Sequence, residues 1–372
     1  MQVINVSQKE YEEFMLDKSI FSQYQHGSYA DIELDYNNHY LIKKNNKTIG
    51  AFRGNKRLIK QLNRLPFMSG NEFIVRRSIY LEEKYYQEFS LIIKDFIKEN
   101  DIILFSLSPS ELINDYNLDL PTLNIKDIFT KNEWTYKKIE EYKISRIAHF
   151  EQVTPLSYNT FEEVEKTFKK DTMRKVRKAL KVGVSVTKID NKDIQDYYYL
   201  FEETGSRDGF SIRDKEFYQR LVDTFKSKAN IYISTLDLKA YKEHVKVNQS
   251  DREDILENID NIKEDKIVLG LAICIDTDVQ RYYHSGATSN LFRETMHNYL
   301  LHYEAIKEAF DNNLVLYNFG VINGGDLKIK DSLYQFKTRF APLTIENQGE
   351  FIVYNSKLEE IVFKILNRFK RG

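Results

Sequence analysis

One cysteine, Cys274, is all that 372 residues contain. A lone thiol staples nothing, and without a Cys-x-x-Cys the chain has neither a disulfide framework nor a zinc knuckle. Cys274 falls inside the apolar run I-V-L-G-L-A-I-C-I at 267–275 and reads as a buried strand residue, because free cysteine behaves as a small hydrophobe. A reducing cytoplasm suits it. Histidine is sparse too, seven residues without an H-E-x-x-H pair. His297 and His302 lie five apart and so do not share a helix face, and no metal site is expected. Glycine is missing where phosphate chemistry needs it: no G-x-x-x-x-G-K-[ST] occurs, and none lies between Ala287 and Gly320. No apolar stretch reaches the roughly 20 residues of a membrane-spanning helix. The N-terminus M-Q-V-I-N-V-S-Q-K-E-Y-E-E-F lacks the basic-then-apolar order of a signal peptide. A cytoplasmic protein with peripheral membrane contact at most is expected. Excess charge is absent as well, 55 Lys and Arg against 56 Asp and Glu, so a polyanion would have to bind a local patch.

What is present is a globular composition, 42% hydrophobic and 30% charged, with length enough for two domains. V-I-N-V reads as a strand, followed by a helix from about Gln8. Y-L-I-K-K-N-N-K-T-I-G-A-F is a hairpin turning at Asn45 and Asn46. A long amphipathic helix around residues 81–100 places Leu91, Ile92, Phe96 and Ile97 on one face. A strand stopped by Pro109 follows.

Downstream, a helix from about Phe161 to Gly183 carries an apolar seam of Val164, Phe168, Val176 and Leu180. Lys169, Lys170, Arg174, Lys175, Arg177, Lys178 and Lys181 surround that seam, a cationic face suited to a phosphate backbone or to anionic lipid headgroups, or else a plain solvated face. The elements after it run β-α-α-β-β-β-α-β, the order of an N-acetyltransferase, and the first half reads as a degraded copy. A charged stretch, 238–265, with Ile255, Ile259 and Ile262 in one stripe, looks like a small helical protrusion inserted in the second domain. The missing glycine after Ala287 disfavours acetyl-coenzyme A, whose pyrophosphate needs close backbone approach at a helix N-terminus. Arg207 and Arg213 frame Gly209; either grips an anion or pairs with Asp208 or Asp214. Taken alone, L-Y-Q-F-K-T-R-F at 333–340, just after N-G-G at 323–325, reads as an amphipathic strand with Phe336 and Phe340 inward and Lys337 in water.

Taken together, Y-Y-H-S-G-A-T-S-N, Y-L-L-H-Y-E-A-I-K-E-A-F, L-Y-N-F-G-V and L-Y-Q-F-K-T-R-F resemble, in order and spacing, the Fem aminoacyltransferases. M-R-K-V-R-K-A-L-K-V-G-V-S-V and R-D-G-F-S-I-R-D-K-E-F-Y resemble that family's central segments. The resemblance implies an α/β (α+β) fold of two tandem N-acetyltransferase-like (GNAT-like) domains with a short helical insertion. The first covers 1–150 and is completed by a C-terminal helix at 357–372; the second covers 151–356. It implies no cofactor, aminoacyl-tRNA as donor, and lipid II or UDP-MurNAc-pentapeptide as acceptor; no DNA partner is expected. Lys337 and Phe336 would stand at the transfer centre, Arg213 with Ser211 and Arg207 near precursor phosphate, and Tyr282 and Tyr283 in a pocket.

The chain departs from the family pattern in three places. Asp31 or Glu33 stands where a lysine is frequent, Ser108 where an aspartate precedes the first-domain proline, and the inserted arm is short. An acyltransferase with another donor or acceptor, or an inactive paralogue, are the alternatives.

Overall fold

The computed structural model describes residues 1–32, 38–59, 70–138, 149–209, 211–248, 253–324 and 332–368. Glu33, Gly325, residues 249–252 of the insertion and residues 369–372 of the expected C-terminal helix lie outside these. The chain divides into two units. The first comprises Met1–Glu151, Val321–Asp331 and Ile345–Gly372, the second Gln152–Gly320 and Ser332–Thr344.

In the first unit β1 (Gln2–Val6) is followed by α1 (Gln8–Met15), which opens on a capping box: the Ser7 hydroxyl accepts from the Glu10 N–H and the Glu10 carboxylate from the Ser7 N–H. Next come β2 (Asn38–Lys44), β3 (Lys47–Leu58), β4 (Asn71–Arg76) and β5 (Ile79–Leu81). Asn45 and Asn46 adopt φ of 50° and 62° between β2 and β3, the left-handed pair that a two-residue hairpin requires. Then follow α2 (Tyr86–Glu99), β6 (Ile102–Ser108), α3 (Lys126–Lys131) and β7 (Thr135–Lys137).

One face of this sheet presents Tyr40, Phe52, Phe73, Phe105 and Phe351, all buried. It receives Phe89, Ile93, Phe96 and Ile97 of α2. Leu91 instead faces solvent and Ile92 is half-buried. Phe96 and Ile97 thus face the core as expected, whereas Leu91 and Ile92 fall off the stripe that Phe89, Ile93 and Phe96 make at i, i+4 and i+7.

The second unit begins with β8 (Phe150–Pro155), α4 (Phe161–Thr167) and α5 (Thr172–Lys181). The single helix expected from Phe161 to Gly183 is thus broken, and Leu180 is exposed while Thr172, Val176 and Ala179 are buried. There follow β9 (Val184–Ile189), α6 (Tyr198–Asp208), α7 (Lys215–Phe225), β10 (Ala229–Asp237), α8 (Leu238–Asn248), α9 (Glu253–Asp260), β11 (Lys266–Asp276), β12 (Gln280–Thr288), α10 (His297–Asp311), β13 (Leu316–Ile322), α11 (Ser332–Lys337) and β14 (Leu343–Glu346). The expected strand and helix order is present, with α8 and α9 inserted between β10 and β11. The insertion is less of a protrusion than expected: Tyr241, Val245, Ile255 and Ile259 join the unit's core.

The chain then returns to the first unit as β15 (Glu350–Tyr354), antiparallel to β6 from Phe351–Leu107 to Tyr354–Leu104. The expected boundary at 356 therefore falls too late: β15 buries Phe351 against Phe129, rings 4.9 Å apart. The final helix, α12 (Lys357–Arg368), packs Val362 and Phe363 against Ile59 and Ile103 of the same unit.

The parallel pair at the heart of each sheet separates the two units' capabilities. In the first, β4 and β6 stay paired from Asn71–Ile102 to Arg76–Ser108, with one register shift between Asn71 and Glu72. In the second, β12 and β13 pair only from Gln280–Leu316 to Tyr282–Asn318, although both strands continue. The second sheet opens there.

Candidate active site

Two irregularities drive the opening. The β11–β12 register shifts between Ile273–Ser285 and Cys274–Tyr283, leaving His284 as the extra residue of a bulge, which bends its strand. On the other side Gly320 takes φ of 74°, and its N–H donates to Asn318 Oδ1 at 2.7 Å. A Cβ there would stand 3.1 Å from the Tyr282 hydroxyl. Into the gap α10 projects His302. Its ring lies 4.7 Å from Tyr283 of β12, 4.9 Å from Phe319 of β13 and 5.4 Å from Phe336 of α11.

His302 Nδ1 is 3.0 Å from the Tyr317 hydroxyl, and Cys274 Sγ is 3.7 Å from that same oxygen. Burial raises the pKa of Tyr317 well above its ordinary value and lifts the Cys274 thiol to about 12, so both keep their protons. His302 Nδ1 and the Tyr317 hydroxyl therefore share one hydrogen bond, whose donor is set by the imidazole tautomer. Burial first, and the Lys337 charge second, pull His302 down to about 3. The ring is neutral and Lys337 carries the positive charge.

Lys337 does not lie in water. It ends α11 with 4% of its surface exposed, in a helix and turn where an amphipathic strand was expected. The turn closes with Arg339 N–H to Phe336 C=O and Ala341 N–H to Lys337 C=O, both 3.0 Å. It is gripped from two sides. Arg339 Nη1 meets both Asp171 oxygens at 2.7 Å, and Thr172 Oγ1 donates to Arg339 C=O at 3.1 Å. From β8, Gln152 Nε2 donates to Ala341 C=O at 2.6 Å and Thr154 Oγ1 to Phe340 C=O at 3.0 Å. A buried ammonium on a segment this constrained is positioned before any substrate arrives. Phe336, half-buried, meets Tyr299 edge-on at 5.3 Å.

The structure therefore brings Phe336, Lys337 and Tyr283 together. Among the basic residues, Lys175 is not a surface cation: it pairs with Asp171 at 3.0 Å and donates to Tyr299 Oη at 3.0 Å. Lys169 donates to Thr338 at 3.1 Å. Lys169, Lys170, Arg174 and Arg177 are exposed and Lys178 half-buried. Arg207, Ser211 and Arg213 form another group around α6 and α7. Arg207 takes the structural option, gripping Asp208 at 2.9 and 3.0 Å and Thr288 C=O at 2.9 Å. Arg213 and Ser211 are exposed, with the guanidinium 4.9 Å over Phe217. Asp31 ends a short turn and accepts from Gln8 at 3.3 Å; Ser108 is buried at the end of β6.

Sequence reasoning missed His302, Tyr317, Tyr299 and Asp171, whose roles appear only when distant segments pack. It also missed what fills the start of α10. There Glu294 accepts from the Tyr241 hydroxyl at 2.7 Å, and His297 Nδ1 sits 3.1 Å from Ser234. Phe292 and Met296, neither of them glycine, take left-handed φ of 47° and 62°. A carboxylate at a helix N-terminus opposes a pyrophosphate there.

Two successive N-acetyltransferase-like units, the second opened around a fixed cation, are the scaffold of an acyltransferase. A tandem N-acetyltransferase protein from the clavulanic acid pathway superposes on 95% of the chain and 98% of its own length with a TM-score of 0.50 at 7% identity. FemX superposes on 97% of the chain and 100% of its own length, TM-score 0.74, 18% identity. The profile of the FemAB family matches residues 6–267 and 248–368, and the chain belongs to that family. Aminoacyltransferase FemB of Staphylococcus epidermidis is 20% identical over 430 residues, covering 100% of this chain and 99% of that protein. The lipid II:glycine glycyltransferase of the same species is 26% identical over 258 residues, 59% of this chain and 62% of its own.

Proposed function

We propose that the protein moves an amino acid from aminoacyl-tRNA onto an amine of a peptidoglycan precursor, lipid II or its soluble UDP-linked form, as a cytoplasmic step in building the interpeptide bridge. The observation that carries this reading is the buried, doubly anchored Lys337 beside the aromatic floor of the open β12–β13 pair. The relatives supply the chemistry: one is named an aminoacyltransferase, another a lipid II:glycine glycyltransferase. The carboxylate and phenol at the start of α10 favour a donor other than coenzyme A.

In the reaction the neutral acceptor amine attacks the ester carbonyl of the aminoacyl-tRNA. A C–N bond forms and the carbonyl oxygen gains negative charge. Collapse breaks the C–O bond to ribose, and the proton lost by the amine leaves on the ribose hydroxyl. Lys337 faces the developing oxyanion, an effect of about 3–4 kcal/mol for one donor of this kind. Phe336 offers a ring for the terminal adenine, worth about 1–3 kcal/mol. Tyr282 and Tyr283 line the pocket, Arg213 and Ser211 hold precursor phosphate, and Lys169, Lys170 and Arg174 meet tRNA phosphates.

The test combines purified protein, lipid II or UDP-MurNAc-pentapeptide, charged total tRNA and labelled amino acids, with and without ribonuclease. One residue added to the precursor, lost on ribonuclease treatment, is the expected result. Transfer that survives ribonuclease, or that runs from an acyl-coenzyme A, would replace this reading with another donor.

A further inference from the structure

We propose that the C-terminal half of α5 and the adjoining face of α8 form a docking surface for an anionic phospholipid bilayer. The two helices meet at Gly183, just after α5. Its carbonyl accepts from Asp237 N–H at 3.0 Å, and a Cβ on it would stand 3.0 Å from Ala240 Cβ in the first turn of α8. One turn further, His244 lies close enough to Lys181 and Lys178 that their charges add to burial in lowering its pKa. The surface so formed carries Arg177, Lys178 and Lys181 from α5 and Lys239 and Lys246 from α8. Glu243 is exposed on α8 among them. Lys175 pairs with Asp171, but Arg177, Lys178 and Lys181 have no carboxylate partner among the described residues.

Two aliphatic side chains stand out amid these cations. Leu180 is 53% exposed and Val247 81% exposed. Aliphatic groups gain nothing from an RNA phosphate backbone, and single-stranded bases are bound by stacking on aromatic rings. A bilayer surface rewards both parts, since lysines are drawn to anionic headgroups and leucine or valine enters the interface. The chain's net charge of −1 provides no general attraction to anions, so binding would depend on this patch. The inference stands apart from the transfer reaction, because vesicle binding is read without turnover.

The test uses the full chain and co-sedimentation with vesicles of phosphatidylglycerol and phosphatidylcholine, with pure phosphatidylcholine as control. Binding to charged total tRNA is measured in parallel. Salt-sensitive binding to the anionic vesicles alone is expected. Leu180→Ser with Val247→Ser should weaken it about tenfold and leave tRNA affinity unchanged; both residues are exposed, so the fold is retained. Lys178→Glu with Lys181→Glu should weaken it about thirtyfold or more. Wild-type protein that ignores anionic vesicles, or an aliphatic double variant that binds them as wild type does, would overturn the proposal. So would a charge variant that loses tRNA affinity while keeping vesicle binding, which would make this an RNA surface.

Discussion

The Tyr317 hydroxyl lies 3.0 Å from Nδ1 of His302, joining one strand of the open pair to the helix that floors it. Tyr317→Phe keeps the ring and removes the hydroxyl, leaving a buried imidazole nitrogen without this partner. A loss of about 1–3 kcal/mol in unfolding free energy is expected, with a lower kcat because the ring that packs on Phe336 is no longer fixed. Urea denaturation and steady-state kinetics measure the two effects. Unchanged values in both would remove the bond from the account.

Lys337 and His302 are coupled through charge, and the coupling has a direct signature. In Lys337→Met the cation that helps hold His302 near 3 is gone, so its pKa should rise, though burial still keeps it below 6.5. Imidazole NMR titration reads this. A His302 pKa unmoved by the substitution would mean that the two groups do not interact.

Stability should fall in acid for a stated reason. His302 and His297 are depressed to about 3 and about 4, each chiefly by burial. Their contribution is full above pH 6.5 and is lost as pH falls towards those values, on the order of 3–5 kcal/mol per group. Glu111 acts in the opposite sense. Burial lifts its carboxyl to about 7, so its contribution is full below pH 4.5 and is lost as pH rises through 7. Glu111→Gln should remove the decline between those limits and leave the acid slope intact, as chemical denaturation across pH would show.

Asp171 anchors the transfer segment more than it stabilises the protein. Its pair with Arg339 is about one-third exposed on both sides, so Asp171→Ala should cost only about 1 kcal/mol. Yet the turn carrying Lys337 loses one of its two anchors. A kcat lower by tenfold or more is expected, since about 1 Å of misplacement can cost a hundredfold. Full activity in this variant would show that β8 alone holds the turn.

The fold was legible because periodicity and turn chemistry act locally. Asn45–Asn46 marked the hairpin, the apolar run around Cys274 marked a central strand, and the strand order marked the second unit. The errors lie where tertiary packing overrides local pattern. In L-Y-Q-F-K-T-R-F the aromatics fit a strand, but Arg339 reaches Asp171 more than 160 residues away and the segment closes as a helix and turn. Lys175 looked like a free cation because the Tyr299 side chain that engages it is remote in sequence, whereas the Asp208 partner of Arg207 is its neighbour and was one of the two options open for it. Leu180 looked like core because nothing local signals the break at Phe168–Asp171.

The central claim is that the buried Lys337 ammonium stabilises the transition state of aminoacyl transfer. Single-turnover transfer from aminoacyl-tRNA by Lys337→Met, beside its unfolding free energy, tests it most directly. The account expects a rate lower by roughly two to three orders of magnitude in a protein at least as stable as wild type, since methionine fills a similar volume without a buried charge. A transfer rate close to that of wild type in the folded variant would contradict it.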